Sequence, residues 1–195
     1  RAAAPAFTQS AADQATGQNR LDQLQEVVVT AERRATDVQT TPIAVTALSG
    51  EQLASQQVNS IKDLQVAAPS FTVQDSSTYQ SINIRGIGNT VLNPAITPGV
   101  AVFRDGLFQP ETTGLNEPFY DIADTEILRG PQGTFIGQSS TGGALQINSQ
   151  SPNFKGLNGY VEGLVGNYSD TKLTGAVNLP LSSTVAARIA FNTEQ

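Results

Sequence analysis

Residues 121–148 constrain the chain most. They read Asp-Ile-Ala-Asp-Thr-Glu-Ile-Leu-Arg-Gly-Pro-Gln-Gly-Thr-Phe-Ile-Gly-Gln-Ser-Ser-Thr-Gly-Gly-Ala-Leu-Gln-Ile-Asn. Thr125 to Leu128 and Ala144 to Asn148 have the character of two buried strands. Between them lie a Gly130-Pro131 break and further glycines at 133, 137, 142 and 143. Proline fixes its own φ and pushes the residue before it toward extended conformations, while glycine permits positive φ and close backbone approach. Taken alone, this pattern also fits an ordinary turn in an α+β domain.

The flanking segments give the same kind of architecture. Thr41 to Leu48 reads as a strand opened by Pro42. Ser49-Gly50-Glu51-Gln52 is a capping box that predicts a helix to about Gln56. Ser60 with Asp63 signals a second helix, with Ile61, Leu64 and Ala68 on one face, ended by Pro69. Phe71 to Gln74 and Ser81 to Arg85 alternate as half-buried strands. Asp105-Gly106 between apolar runs is the strongest short-range hairpin signal. Gly86-Ile87-Gly88 begins a nucleotide-binding pattern, but Val91 stands where the third glycine is required and no helix pattern follows.

Composition removes several kinds of chemistry. The chain has no Cys and no His, so thiolate nucleophiles, disulfides, Cys/His zinc sites and imidazole bases are excluded from these residues. No carboxylate pair is set off by a recognisable motif, so a hydrolase reading gains no support, and no catalytic, metal or cofactor residue is assigned. The formal net charge of -6 and the scattered Lys and Arg argue against a nucleic-acid partner. No apolar run reaches the roughly 18 to 20 residues of a membrane helix, so any membrane span must be built of strands.

Such strands are present after Asn153. Tyr160 to Val165 is a strand. Leu173, Gly175, Val177 and Leu179 alternate with Lys172, Thr174, Ala176 and Asn178, and Val185, Ala187, Ile189 and Phe191 alternate with Ala186, Arg188, Ala190 and Asn192. One face is apolar and one wet, in segments near the roughly 10 residues of a tilted outer-membrane strand. A soluble β-sandwich gives the same alternation.

Leu128-Arg129-Gly130-Pro131-Gln132-Gly133, with Thr141 to Asn148, closely resembles the end of the plug domain of TonB-dependent outer-membrane receptors. Arg85-Gly86-Ile87-Gly88, the Asp105-Gly106 hairpin and the Thr46-to-Leu53 wording are similar to further plug signatures. The resemblance implies an α+β plug, a mixed small sheet with short helices, followed by the first antiparallel strands of a large β-barrel. Three strands leave edges that no outer-membrane barrel tolerates, and plugged barrels have about 22 strands. The remainder of the barrel is therefore expected outside these residues.

Glu26-Val27-Val28-Val29-Thr30-Ala31 is similar to the TonB box, which implies capture by the periplasmic carboxy-terminal domain of TonB through β-strand addition. An internal strand of the plug is the alternative for these valines. The implied organisation is a flexible periplasmic segment at 1–25 with the look of a mature amino terminus, the box at 26–31, the plug at 32–152 and barrel strands at 153–195. Arg85, Glu126 and Arg129 are implied plug–barrel contacts. Asn89, Thr90, Asn93, Gln109 and Glu111 are expected on ligand-facing plug loops. Two positions depart from the family pattern: Arg104 replaces a small or apolar residue, and Gln138 stands where arginine is common. The implied function is energised uptake of a scarce nutrient, a ferric chelate or other small organic ligand, with outer-membrane lipid and the rest of the barrel as partners. A non-transporting structural or adhesive outer-membrane protein is the alternative.

Overall fold

The computed structural model describes residues 28–29, 36–37, 44–76, 79–89, 97–110, 115, 117–131, 133, 140–167 and 171–194. In chain order the elements are β1 (Val28–Val29), β2 (Thr36–Asp37), β3 (Val45–Ser49), α1 (Gly50–Ser55), α2 (Leu64–Ala67), β4 (Phe71–Ser76), β5 (Tyr79–Ile84) and β6 (Ile87–Gly88). They continue with β7 (Val100–Arg104), β8 (Leu107–Gln109), β9 (Ile122–Arg129), β10 (Gly143–Ser149), β11 (Asn158–Val165), β12 (Thr171–Pro180) and β13 (Ala186–Glu194).

The two strands framing the glycine-rich stretch form the centre of the α+β body expected to be the plug. A five-stranded sheet runs in the order β3-β9-β10-β7-β8, with β10 parallel to β7 and every other pairing antiparallel. On one face Val100, Val102, Ile127, Leu145 and Ile147 pack against Leu53 of α1, Leu64 of α2 and Phe71, Ile82 and Ile84 of the small β4-β5-β6 sheet. On the other face Ala101, Phe103, Leu128 and Ala144 form a second cluster with Val45, Ala47 and Phe108. Central strands covered on both faces need apolar residues in both registers, as the sequence of β7 shows.

Local chemistry fixes the ends. The Ser49 hydroxyl accepts the Gln52 N–H and the Gln52 side chain accepts the Ser49 N–H, completing the capping box of α1. Asp105 and Gly106 have φ of 51° and 76°, the two positive values of a type I′ hairpin turn. The second helix departs from expectation, because it begins at Leu64 rather than at Ser60. The Asp63 carboxylate instead accepts the Ser60 hydroxyl and the Asn59 N–H, which makes residues 60–63 a turn. Ile61, Leu64 and Ala68 are all buried as expected.

β11, β12 and β13 form a separate antiparallel meander. Its register sets Gly159–Val177–Ile189 and Val161–Gly175–Phe191 in rows on one face, and Asn158–Asn178–Arg188 and Glu162–Thr174–Asn192 in rows on the other. The first face is apolar and exposed at Val161, Ile189 and Phe191, while on the second Asn178 is fully buried. Among the described residues no helix is long and apolar enough to cross a membrane.

Gly143 has φ of 136°, and a Cβ there meets the Leu128 carbonyl oxygen and comes within 3.2 Å of Ile84 Cδ1. Gly130 has φ of 90° with nothing in reach. Gly143→Ala is expected to destabilise the plug by about 3 kcal/mol and Gly130→Ala by about 1 kcal/mol. Urea titration of the two variants reads the difference, and equal costs would count against the close packing at Gly143.

Candidate functional site

The plug meets the meander at the end of the sheet where β9 begins and β10 ends. Asp121, just before β9, has φ of 52°, an unfavourable value for a residue other than glycine. Its carbonyl accepts the Gln150 N–H at 2.8 Å. With the backbone so held, its carboxylate reaches β13, where Arg188 Nε donates to Oδ2 at 2.6 Å and Nη2 to Oδ1 at 2.5 Å. The side chains are 7% and 12% exposed, so this is a partly buried two-pronged pair between plug and strand wall.

Two neighbouring devices fix the linker that leaves the plug. The Asp105 carboxylate, carried at the hairpin tip, accepts the Ser149 N–H at 2.7 Å and the Ser149 hydroxyl at 3.0 Å. On β12, Asn178 Oδ1 accepts the Asn153 N–H at 2.9 Å, and its Nδ2 donates to the carbonyls of Asn153 and Gly156 at 2.9 and 3.1 Å. A buried amide is thereby satisfied by the linker backbone. Asp124 sits beside this end and accepts Asn148 Nδ2 at 2.7 Å. Burial raises its pKa above the usual carboxylate value and the Asn148 bond partly opposes the rise.

At the opposite end of the sheet Asn89 and Gln109 line a crevice with Ser81, Pro98, Val100 and Leu115. Its volume of ≈ 10 Å³ admits one water at most. The Asn89 side-chain oxygen accepts the Gly99 N–H at 3.1 Å, and Gln109 Nε2 donates to the Leu107 carbonyl at 3.4 Å. Thr90, Asn93 and Glu111 lie outside the described residues.

The three plug residues implied as barrel contacts sit in different settings. Arg85 is exposed at a turn with φ of 54°, its N–H donated to the Ser70 carbonyl at 2.7 Å. Arg129 is partly buried and its guanidinium donates to Ser70 Oγ at 3.0 Å and to Thr46 Oγ1, joining β3 to the turn before β4. Glu126 is fully buried at mid-β9, with Ala47 and Gln146 beside it in register. Val28 and Val29 pair with Asp37 and Thr36, whereas Glu26, Val27, Thr30 and Ala31 lie outside the described residues. Among the described residues no group of three or more Asp and Glu is arranged to hold a metal. Asp121, Arg188 and Asn178 are additions that spacing did not reveal. The one available signal was register, since Arg188 and Asn178 fall on the wet face of their strands.

Residues 37–144 match the family described as the TonB-dependent Receptor Plug Domain. The chain belongs to this family. Its sheet order, short helices and following antiparallel strands are those of a TonB-dependent receptor, and such a receptor is an outer-membrane protein. The Pesticin receptor of Yersinia pestis is 30% identical over 146 residues, which is 72% of this chain and 21% of the relative. The Ferrichrome outer membrane transporter/phage receptor of Escherichia coli K12 is 29% identical over 126 residues, covering 60% of this chain and 16% of the relative. The ferric yersiniabactin uptake receptor FyuA from Yersinia pestis superposes with a TM-score of 0.69 at 24% identity, covering 77% of this chain and 24% of that one. The plug and strands thus span about a fifth of the length of the curated relatives they match.

Removing one partner of a partly buried pair leaves the other charge short of its partner, at a cost between those of exposed and fully buried pairs, about 2 kcal/mol. Arg188→Ala is expected to loosen the plug by that amount, with part of the loss recovered in the Asp121→Ala/Arg188→Ala double variant. A double-mutant cycle read by urea unfolding measures the coupling, and strictly additive losses would dispose of it.

The raised pKa of Asp124 has the opposite sign from a stabilising carboxylate. The folded plug holds its proton more tightly than the unfolded chain does. Stability therefore falls as pH rises from the unfolded value, 3.8, through the folded one, and stays lowered above it. Asp124→Asn should flatten this dependence in unfolding curves taken between pH 4 and pH 7, and an unchanged slope would contradict the assignment.

Proposed function

We propose that this chain is the plug and the opening barrel strands of a receptor that admits a scarce nutrient across the outer membrane, energised from the periplasm by TonB. The observation that carries the reading is the meander of β11 to β13. One of its faces is apolar and exposed, and the other is wet and joined to the plug through Asp121 and Arg188. That two-sidedness is what a lipid-facing wall with a stopper behind it requires. The relatives named for ferrichrome and ferric yersiniabactin favour a ferric chelate as cargo. The proposed division is a leader at 1–25, a TonB box at 26–31, the plug at 32–152 and barrel strands at 153–195.

In this reading cargo is met by the segments containing Thr90, Asn93 and Glu111, together with barrel loops. Arg85 and Arg129 contribute to holding the plug against carboxylates of the wall. TonB captures Glu26 to Ala31 by strand addition. Val28 and Val29 already form a two-residue ladder with Thr36 and Asp37, so capture exchanges one short pairing for another. At about 0.5 to 1.5 kcal/mol for each net hydrogen bond, that exchange is a small barrier. Transport in this reading needs no covalent chemistry.

A deletion strain supplied with candidate ferric chelates tests the proposal. Uptake should return with the intact gene and vanish when the proton gradient is collapsed, and uptake indifferent to the gradient would overturn it. A peptide of residues 20–36 is expected to retain the TonB carboxy-terminal domain. Val28→Pro, which removes an N–H and the paired conformation, should lose it.

A further inference from the structure

Asp121 is a plug residue seated in a site that the strand wall builds. Arg188 on β13 and Tyr160 on β11 reach it from the two strands that flank β12. The guanidinium donates to both carboxylate oxygens, and the Tyr160 hydroxyl meets the Asp121 backbone. On the same wet face β12 presents Ala176 in register with Tyr160 and Asn178 in register with Arg188. Ala176 is buried and ends at a methyl, which leaves room above the strand, while the Asn178 amide is committed to the backbone of Asn153 and Gly156. The wall therefore forms a socket with one cation, one phenol and a short floor.

What the socket recognises is a carboxylate. A planar guanidinium offers two parallel N–H donors at the spacing of carboxylate oxygens, a geometry that an ammonium lacks. Asp121 is the one carboxylate paired with Arg188 among the described residues. The plug presents it from a backbone φ of 52°, which glycine adopts more readily, with Gln150 donating to its carbonyl. When Asp121 withdraws, the Arg188 fork loses its acceptor while Tyr160 and Ala176 stay beside it on the wall. A second carboxylate then has the same donors and the same space.

We propose that Arg188, Tyr160 and Ala176 form a carboxylate-binding socket in the wall, filled at rest by the plug's own Asp121 and open, once the plug moves, to a carboxylate of passing cargo. Occupancy by cargo is transient. Asp121 is tethered, so on the plug's return it competes at an effective concentration on the order of millimolar and displaces a weakly held carboxylate. Use of the socket by cargo rests on the import function proposed above, whereas the socket itself does not.

Full-length receptor in lipid nanodiscs tests the socket without cargo. Asp121→Gly removes the occupant and suits the positive φ. Sodium acetate is the probe, and sodium chloride at the same ionic strength controls for screening. The unfolding equilibrium of the plug in urea is expected to shift about fivefold toward the folded state in Asp121→Gly between zero and about 200 mM acetate. Wild type and Asp121→Gly/Arg188→Ala should respond no more than to chloride. An equal response in all three, or none in Asp121→Gly, would overturn the socket. If Asp121→Gly does not assemble, Asp121→Ala takes its place with the same pattern expected and the same overturning result. For cargo, Arg188→Ala should lower uptake of a carboxylate-bearing ferric chelate about threefold relative to a carboxylate-free one, since loosening of the plug affects both alike. An unchanged ratio would overturn the role in transit. Failure of the wild-type receptor to take up either chelate would count against the import reading and leave the acetate titration to decide the socket.

Discussion

The antiparallel ladder of β9 and β10 is the interaction on which the molecule depends. Its register runs from Gly143–Arg129 at one end to Ser149–Ile122 at the other, with an irregularity between Asn148 and Ser149. The irregular end turns the last residue out of the regular pairing, and there the Asp121 carbonyl meets Gln150 while its carboxylate meets Arg188. The regular end brings Gly130 to Gly142 and through it to Gly99. One strand pair therefore spans the plug and holds the far segments at one end and the strand wall at the other. Its residues are correspondingly dry on both faces, with Ile127, Leu128, Ala144 and Leu145 fully buried.

The plug–meander contacts described here through Asp121, Arg188 and Asn178 are polar. A buried ion pair gains Coulomb energy but loses hydration, so its net contribution is small even though breaking it one-sidedly is costly. Its value lies in geometry, because the two-pronged Arg188–Asp121 contact fixes where the plug sits without adding the stability of an apolar interface. Asn178 acts in the same way on the linker through ordinary neutral hydrogen bonds. A stopper held by a few directional contacts is stiff against small displacements and yields once those contacts are replaced by water. An apolar seam of similar area lacks that property, since exposing it to water is unfavourable throughout.

How much of this was legible in the sequence depends on the range of each interaction. The Ser49 capping box, the Asp105-Gly106 turn and the alternation of residues 171–179 are local, so their residues alone specify them. The start of the second helix was misplaced because Ser60 and Asp63 admit two local solutions, a cap or a side-chain turn, and the turn forms, so the helix begins at Leu64. Long-range pairings were not legible. Arg188 and Asp121 are 67 positions apart, and Arg129 and Thr46 are 83 apart. Resemblance singled out Arg129 and strand alternation placed Arg188 on a wet face, but neither reading named a partner. Asn89 was visible as a polar loop residue, but that its oxygen serves Gly99 follows only from the fold.

The departure at Arg104 shows how such a scaffold absorbs change. Its guanidinium bonds the Glu117 carboxylate at 2.6 Å, and both side chains keep substantial exposure to solvent. A pair of that kind contributes about 0 to 1 kcal/mol, too little to redirect the fold. Its partner is 13 residues along the same chain, two positions before Phe119, which is buried and donates its N–H to Asn59. Arg104 thereby ties the end of β7 to the residues that lead into β9. An unusual charge answered locally leaves the Asp121–Arg188 contact and the Asn89–Gly99 bond untouched. The parts that fix plug position are thus separable from the surface positions where sequence is free to vary.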